Sequence, residues 1–69
     1  MSEQVTNNVR ELRKHAKMTQ QALAEEIGVS RQTIIAIESH KYMPSLMLAL
    51  KLAASFDLTV EEIFRYESE

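Results

Sequence analysis

The sequence has 69 residues, no cysteine and a formal net charge of −2. A chain of this length forms one small domain that buries only about 60% of its unfolded surface, and without cysteine it has neither disulfide bonds nor thiolate ligands. The N-terminal stretch is polar where a secretion signal needs an apolar segment, and no apolar run is long enough to span a membrane. We therefore expect a single soluble, cytoplasmic domain over residues 1–69, ordered from about 6 to 66.

The charge is distributed unevenly along the chain. Residues 1–41 hold six Lys or Arg against five Asp or Glu, a balance of +1, whereas residues 42–69 hold two against five, a balance of −3. The overall acidity argues against a polyanionic partner, because nucleic-acid-binding proteins usually carry a basic surface. The first part of the chain does not share that acidity.

Helical periodicity starts near residue 6 and predicts a first helix over about 6–17. Val9, Leu12 and Ala16 fall on one face of it, and Arg10 lies off that face. The residues before this helix show no pattern, so we expect them to be frayed. No stretch of the chain shows the alternation of a β-strand.

Two short helices joined at a glycine follow, over about 20–27 and 31–39. Thr19 and Ser30 stand just before them, where a side-chain oxygen can cap the first turn. Gly28 is the only glycine, and it supplies the positive φ that a sharp turn between helices requires. This pattern predicts a helix, a tight turn and a second helix.

The second of these helices has an exposed face with recognition chemistry. Ile34 and Ile37 face inward, which leaves the other side to Arg31, Gln32, Thr33, Ile35 and Ala36. In the major groove, Arg can form two hydrogen bonds with guanine and Gln can form two with adenine. An isolated Arg-Gln pair usually marks solvated surface, but the tight helix-glycine-helix around it favours recognition. Ile35 is either an isolated exposed residue or a contact for a thymine methyl group.

The fourth predicted helix, about 46–56, is more apolar than one buried face requires. Its inward stripe consists of Ala49, Leu52, Ala53 and Phe56, with Leu46 in front of it. Met47, Leu48 and Leu50 are then partly surplus. Surplus apolar surface indicates either an oligomer interface or deeper burial within one chain.

The fourth helix is preceded by a loop over 39–44 and followed by one more predicted helix, about 60–66. Thr59 with Glu62 three residues later forms a capping box at its start. No nucleophile stands beside a base, no paired carboxylates share an evident pocket, and the two histidines are far apart in sequence. We expect no enzymatic activity, no cofactor, no metal site and no small-molecule effector.

Together these residues carry a family resemblance. The stretch 19–38 resembles the helix-turn-helix of Cro and lambda-repressor proteins, also called the Xre family, and the residues that carry the likeness are Thr19, Gln20, Ala24, Ile27, Gly28, Ser30, Arg31, Gln32, Thr33, Ile34, Ile37 and Glu38. Pro44-Ser45-Leu46 through Ile63-Phe64 continues the likeness, which covers about residues 9–66. The resemblance implies an all-α, five-helix, lambda-repressor-like fold.

The resemblance also implies roles for particular residues. It implies contacts with the DNA backbone for Thr19, Gln20, Thr33 and Lys41. It implies base contacts for Arg31, Gln32 and Ala36. Arg13 and Glu38 match positions that form an internal ion pair in the family, so we assign them to structure.

Two positions depart from the family pattern. Ser39-His40 replaces the usual Asn-Gly after the third helix, and Asp57 replaces a common glycine after the fourth. Histidine tolerates the left-handed conformation better than most residues do. The reach of Lys41 nevertheless depends on the backbone path at His40.

These observations predict a transcriptional regulator, with repression as the expected mode, that binds a two-fold double-stranded DNA operator as a homodimer. The predicted dimer interface consists of Met47, Leu48, Phe64 and Tyr66. One alternative is an antitoxin or controller protein that binds DNA and also a protein partner. Another is a protein-interaction module that has lost DNA binding, which the acidic balance favours and the shared side of Gln20, Arg31, Gln32 and Lys41 opposes.

Overall fold

A computed structural model describes residues 2–68, which form five helices and a two-stranded sheet. The elements, in chain order, are β1 (Glu3–Asn7), α1 (Val9–His15), α2 (Gln20–Ile27), α3 (Arg31–Glu38), α4 (Leu46–Phe56), α5 (Val60–Ile63) and β2 (Phe64–Ser68). The five predicted helices are all present. Within the described residues, no helix has the length and apolarity needed to cross a membrane.

The four predicted helix caps are confirmed. The hydroxyl oxygens of Thr19, Ser30, Ser45 and Thr59 each accept a hydrogen bond from the backbone N–H three residues later, at 3.0 to 3.2 Å. At Thr59 the Glu62 carboxylate also accepts from the Thr59 N–H, at 2.8 Å, which completes the capping box. These bonds occupy helix N–H groups that have no partner within the helix, so α2, α3, α4 and α5 each begin where the sequence predicts.

Each of the helices α1 to α4 is followed, within two residues, by a residue with positive φ. These residues are Lys17, Gly28, His40 and Asp57, with φ values of 60°, 79°, 62° and 57°. The residue after each donates its N–H to a carbonyl five positions earlier, in the bonds Met18–Arg13, Val29–Ala24, Lys41–Ala36 and Leu58–Ala53, at 2.9 to 3.1 Å. This is the Schellman ending, which glycine usually closes. His40 and Asp57 therefore adopt the conformation of the glycines that they replace.

The sheet corrects the all-α prediction. Strands β1 and β2 pair antiparallel, with Asn7 opposite Phe64 and Val5 opposite Tyr66. The residues predicted to be frayed are thus partly in a strand. The first helix begins at Val9 rather than near residue 6, and the last helix ends at Ile63 rather than near residue 66. Five-residue strands with little apolar alternation carry no local signal, and they form here because folding brings the two ends of the chain together.

The core lies between the helices and contains the predicted inward residues of α2 and α3. Leu23, Ala24, Ile34 and Ile37 are fully buried. In α4 the predicted inward residues Ala49, Leu52 and Ala53 are buried, and the prediction fails at two other positions of the helix. Leu48 is only 7% exposed and belongs to the core, whereas Leu46 is 71% exposed, because α4 packs with positions 48, 49, 52 and 53 inward.

Candidate nucleic-acid interface

Helices α2 and α3 form the candidate site, and α1 holds them in place. Gly28 and the Ser30 cap confine the turn between them to three residues, and Ile27, Ile34 and Ile37 anchor both helices in the core. The outer face of α3 is thereby fixed relative to α2.

An ion pair joins α1 to the last residue of α3. Arg13 Nε lies 2.7 Å from Glu38 Oε2, and Arg13 Nη2 donates to Glu38 Oε1 at 3.2 Å. The two side chains are only 11% and 5% exposed. The hydrogen bond that Arg13 donates to Glu38 raises the pKa of the Arg13 guanidinium, against the opposing effect of burial. Arg13 also donates to the Met18 carbonyl at 2.9 Å, so its charge is committed to the interior rather than to a ligand.

Gln20 extends this network to the beginning of α3. Its Nε2 donates to Glu38 Oε1 at 3.2 Å, and its Oε1 lies 3.4 Å from Arg31 Nε, which donates to it. The amide nitrogen of Gln20 has a second hydrogen. Gln20 can therefore orient Arg31 and still offer a donor to a phosphate.

The first turn of α3 presents the predicted base-reading residues. Arg31 and Gln32 are exposed, and Ala36 is half-buried one turn further on. Thr33 lies to one side, with its hydroxyl 3.1 Å from Ser30 Oγ. The arrangement offers one guanidinium and one amide, both within the part of a recognition helix that enters the major groove.

Ile35 lies on the other side of α3, facing α1 and the start of α2. It is half-buried and lines an open groove of about 580 Å³. The groove is bordered by Arg10, Arg13, Thr19, Gln20, Glu38 and Ser39. Ile35 is therefore not an isolated surface residue.

Arg10 in the same groove is a candidate contact that the sequence analysis did not name. It is exposed and shares the groove with Thr19 and Gln20, the proposed backbone contacts. Its spacing of three residues from Arg13 places both on one side of α1, and this is the signal that could have found it. Arg10 adds a cation to the same surface as Arg31.

The acidic residues of α2 occupy a different surface. Glu25 and Glu26 line a separate open groove between α2 and α4, together with Lys51 and Ser55. Lys41 is exposed three residues after the end of α3, and it lines another groove beside the two strands. Arg10 borders the groove that Gln20 lines, and Arg31 donates to Gln20, so two cations lie beside the helix-turn-helix although the net charge of the chain is negative.

The predicted interface residues lie in different environments. Met47 and Tyr66 are 69% and 66% exposed, Phe64 is partly buried against the core, and Leu48 is buried. Of the two alternatives for the surplus residues of α4, Leu48 follows deeper burial within the chain. Further large apolar side chains are exposed nearby in sequence: Tyr42, Met43, Leu46 and Leu50.

This fold and this surface define a helix-turn-helix protein, and comparison with known proteins identifies the family. The family model Helix-turn-helix matches residues 9–63. An HTH-type transcriptional regulator of Methanocaldococcus jannaschii is 51% identical over 63 residues, which cover 91% of this chain and 96% of the relative. The HTH-type transcriptional regulator YgzD of Bacillus subtilis is 46% identical over the same share of each chain.

A solved structure agrees with these relatives. The restriction-modification controller protein C.AhdI of Aeromonas hydrophila superimposes with a TM-score of 0.73 and 33% identity, over 78% of this chain and 82% of that one. The chain belongs to the Cro/C1-type helix-turn-helix family of DNA-binding transcriptional regulators.

Proposed function

We propose that the protein binds a specific sequence in double-stranded DNA by placing α3 in the major groove. The observation that carries this proposal is the exposure of Arg31 and Gln32 in the first capped turn of α3, beside the buried pair formed by Arg13 and Glu38. Two side chains that can each form a pair of hydrogen bonds with a base, held on a fixed helix, suit base reading, because recognition depends on fixed geometry.

The proposed base contacts are Arg31 with guanine, Gln32 with adenine and the Ala36 methyl group with thymine. The proposed backbone contacts are Thr19, Gln20, Thr33 and Lys41, with Arg10 added from the groove geometry. We assign Ile35 to the wall of that groove, where it packs near the DNA backbone. A thymine methyl group is the one base contact that we propose for it. Few of these contacts carry a full charge, so each copy of the domain binds modestly and salt weakens binding.

We further propose a homodimer that acts in the cytoplasm on an operator with two-fold symmetry. The support is the outward face of α4, where Leu46, Met47 and Leu50 are 71%, 69% and 54% exposed. The proposed interface combines this face with Tyr66 and partly buried Phe64. It no longer includes Leu48, which is buried in the core. Dimers of this class read half-sites about one helical turn apart. We expect repression by occupancy and no small-molecule effector.

The binding proposal is tested by selecting bound sequences from a random duplex pool. We expect an enriched motif with two-fold symmetry and a centre-to-centre spacing of about 10 base pairs, together with binding that weakens as salt rises. If no motif is enriched and labelled duplex shows no salt-dependent shift, the protein is better described as a protein-interaction module that has lost DNA binding.

The dimer proposal is tested by sedimentation equilibrium of wild type and Met47→Glu. We expect the wild type to dimerise and the variant to be monomeric at high micromolar concentration, because a charge would be buried in the interface. Gln21→Glu adds the same charge on the exposed side of α2 and should leave the dimer unchanged. A wild type that is only monomeric at that concentration would contradict the proposal.

A controller function within a two-gene system is a second candidate. The 33% identity to a restriction-modification controller protein favours it. Purification from its own cells with the product of the neighbouring gene would support this reading. Purification alone, with unimpaired operator binding, would favour the stand-alone regulator.

A further inference from the structure

One side chain connects the sheet to the end of α3. Asn7 is the last residue of β1, and its Nδ2 donates to the Ile37 carbonyl at 2.9 Å. Its Oδ1 accepts from the Val9 N–H at 3.0 Å. These partners fix the orientation of the amide, because exchanging its two ends would place two donors together and two oxygens together. Asn7 therefore ties the start of α1 to the last turn of α3.

The same amide nitrogen lies 3.4 Å from Nδ1 of His40. His40 has a φ of 62°, in the region that favours glycine, and its N–H donates to the Ile37 carbonyl at 3.0 Å. The Ile37 carbonyl thus accepts from both the His40 backbone and the Asn7 side chain. Asn7 therefore contacts both partners of the bond that closes this helix. It donates to the Ile37 carbonyl, and it lies beside the His40 ring.

Lys41 follows His40 directly. Its N–H donates to the Ala36 carbonyl at 3.1 Å, which completes the Schellman ending of α3. The direction in which the chain leaves α3, and with it the position of the exposed Lys41 side chain, depends on His40 remaining left-handed. A glycine would hold this conformation without steric cost, whereas histidine needs support from its surroundings.

We propose that Asn7 is a positioning residue for DNA binding: it holds the left-handed ending at His40 and thereby places Lys41 against the DNA backbone. This inference rests on the proposed DNA binding of α3. It gives the sheet a role in function, because Asn7 is held opposite Phe64 of β2 by strand pairing. Asn7 itself makes no contact with DNA in this proposal.

The first experiment measures the affinity for the selected operator as a function of salt, for fully folded wild type, Asn7→Ala, Lys41→Ala and the double variant. We expect Asn7→Ala to weaken binding about two- to fivefold, the range of one exposed charge contact. For Asn7→Ala we expect the slope of log affinity against log salt to be less steep than that of the wild type by about 0.9, the value of one phosphate contact. The double variant should bind no more weakly than Lys41→Ala alone.

The matched control is Asn8→Ala. Asn8 is the neighbouring residue of the same type, and its Nδ2 donates to the Glu62 carbonyl at 3.3 Å rather than to α3. Its replacement should leave the salt slope of the folded protein unchanged. A purely structural role for Asn7 would lower stability without changing that slope.

His40→Gly provides a rescue. Because glycine is left-handed without help, adding Asn7→Ala to the His40→Gly protein should change the operator affinity less than twofold. An undiminished effect of Asn7→Ala in that background would overturn the proposed route through His40.

Amide hydrogen exchange tests the same inference without DNA. Asn7→Ala should speed exchange at the His40 and Lys41 amides about tenfold, the effect of losing one supporting hydrogen bond, relative to the core amide of Leu23. Unchanged exchange at these two amides, with normal operator binding by the wild type, would overturn the positioning role alone. A wild type that binds no DNA would overturn the proposed function and this role together.

Discussion

The two ends of α3 are held in different ways. The N-terminal end is fixed from within the helix-turn-helix, by the Ser30 cap and by Gln20 against Arg31. The C-terminal end is closed by left-handed His40. It is supported by Asn7, which belongs to the sheet formed by residues 3–7 and 64–68. The base-reading end is therefore local in sequence, whereas the proposed backbone-contacting end depends on both ends of the chain. Changes in the sheet should alter general affinity without altering which sequence is chosen.

The largest expected effect comes from removing the ion pair between Arg13 and Glu38, which holds α3 against α1. Arg13→Ala leaves Glu38 buried without its cation, and the free energy of unfolding should fall by about 3–5 kcal/mol, measured by urea denaturation. A domain of this size has only roughly 3–10 kcal/mol of stability, so the variant should be largely unfolded at 37 °C.

Two controls belong to the Arg13 experiment. Arg10→Ala removes an exposed arginine from the same helix and should change stability by less than about 0.5 kcal/mol. The pKa of Arg13 is raised, so its contribution is complete below the pKa of an unfolded arginine and is lost only as pH rises through the still higher folded value. The difference between wild type and Arg13→Ala should therefore be constant from about pH 6 to 9. A loss that disappears within this range would show that Arg13 is not the group responsible.

The base-reading end is tested by Gln32→Ala. Operator affinity should fall by about 1–3 kcal/mol, and preference should relax at one base pair in each half-site, because the adenine contact is lost. Gln21→Ala on the exposed side of α2 is the matched control and should leave the selected motif unchanged. An unaltered motif for Gln32→Ala itself would refute the recognition assignment.

The turn before α3 is tested by Gly28→Ala. Space is not the constraint, since an added Cβ would meet no atom within 4 Å. The left-handed φ of 79° is the constraint, and alanine there should lower the free energy of unfolding by about 1–2 kcal/mol. Thermal denaturation measures this loss. No change in melting temperature would mean that the turn relaxes without strain.

The smallest expected effect belongs to the other end of α3. Lys41→Ala should weaken binding to every DNA sequence alike, by up to about 1 kcal/mol, and should lower the salt slope by about 0.9. The measurement compares the operator with an unrelated duplex. A loss confined to the operator would place Lys41 among the base-reading residues and remove the contrast between the two ends.

Local patterns in the sequence were sufficient for the starts of α2 to α5 and for their caps. Thr19, Ser30, Ser45 and Thr59 each precede a helix because a short hydroxyl side chain reaches the N–H groups three residues later. Gly28 predicts the turn for the same local reason. The side of α4 that faces the core was not local information, because its apolar residues fit more than one face and only packing selects among them.

The sequence by itself determined the helix-turn-helix, since its periodicity, caps and glycine all act within a few residues, and it determined the exposed position of Arg31 and Gln32 in the first turn of α3. Only the tertiary structure decided the pairing of β1 with β2, the burial of Leu48, and the contact from Asn7 to the end of α3. The strand pairing and the Asn7 contact join residues 30 or more positions apart, and the burial of Leu48 depends on which face of α4 packs against the core. No local propensity sets these features, because their energy comes from contacts that exist only in the folded chain.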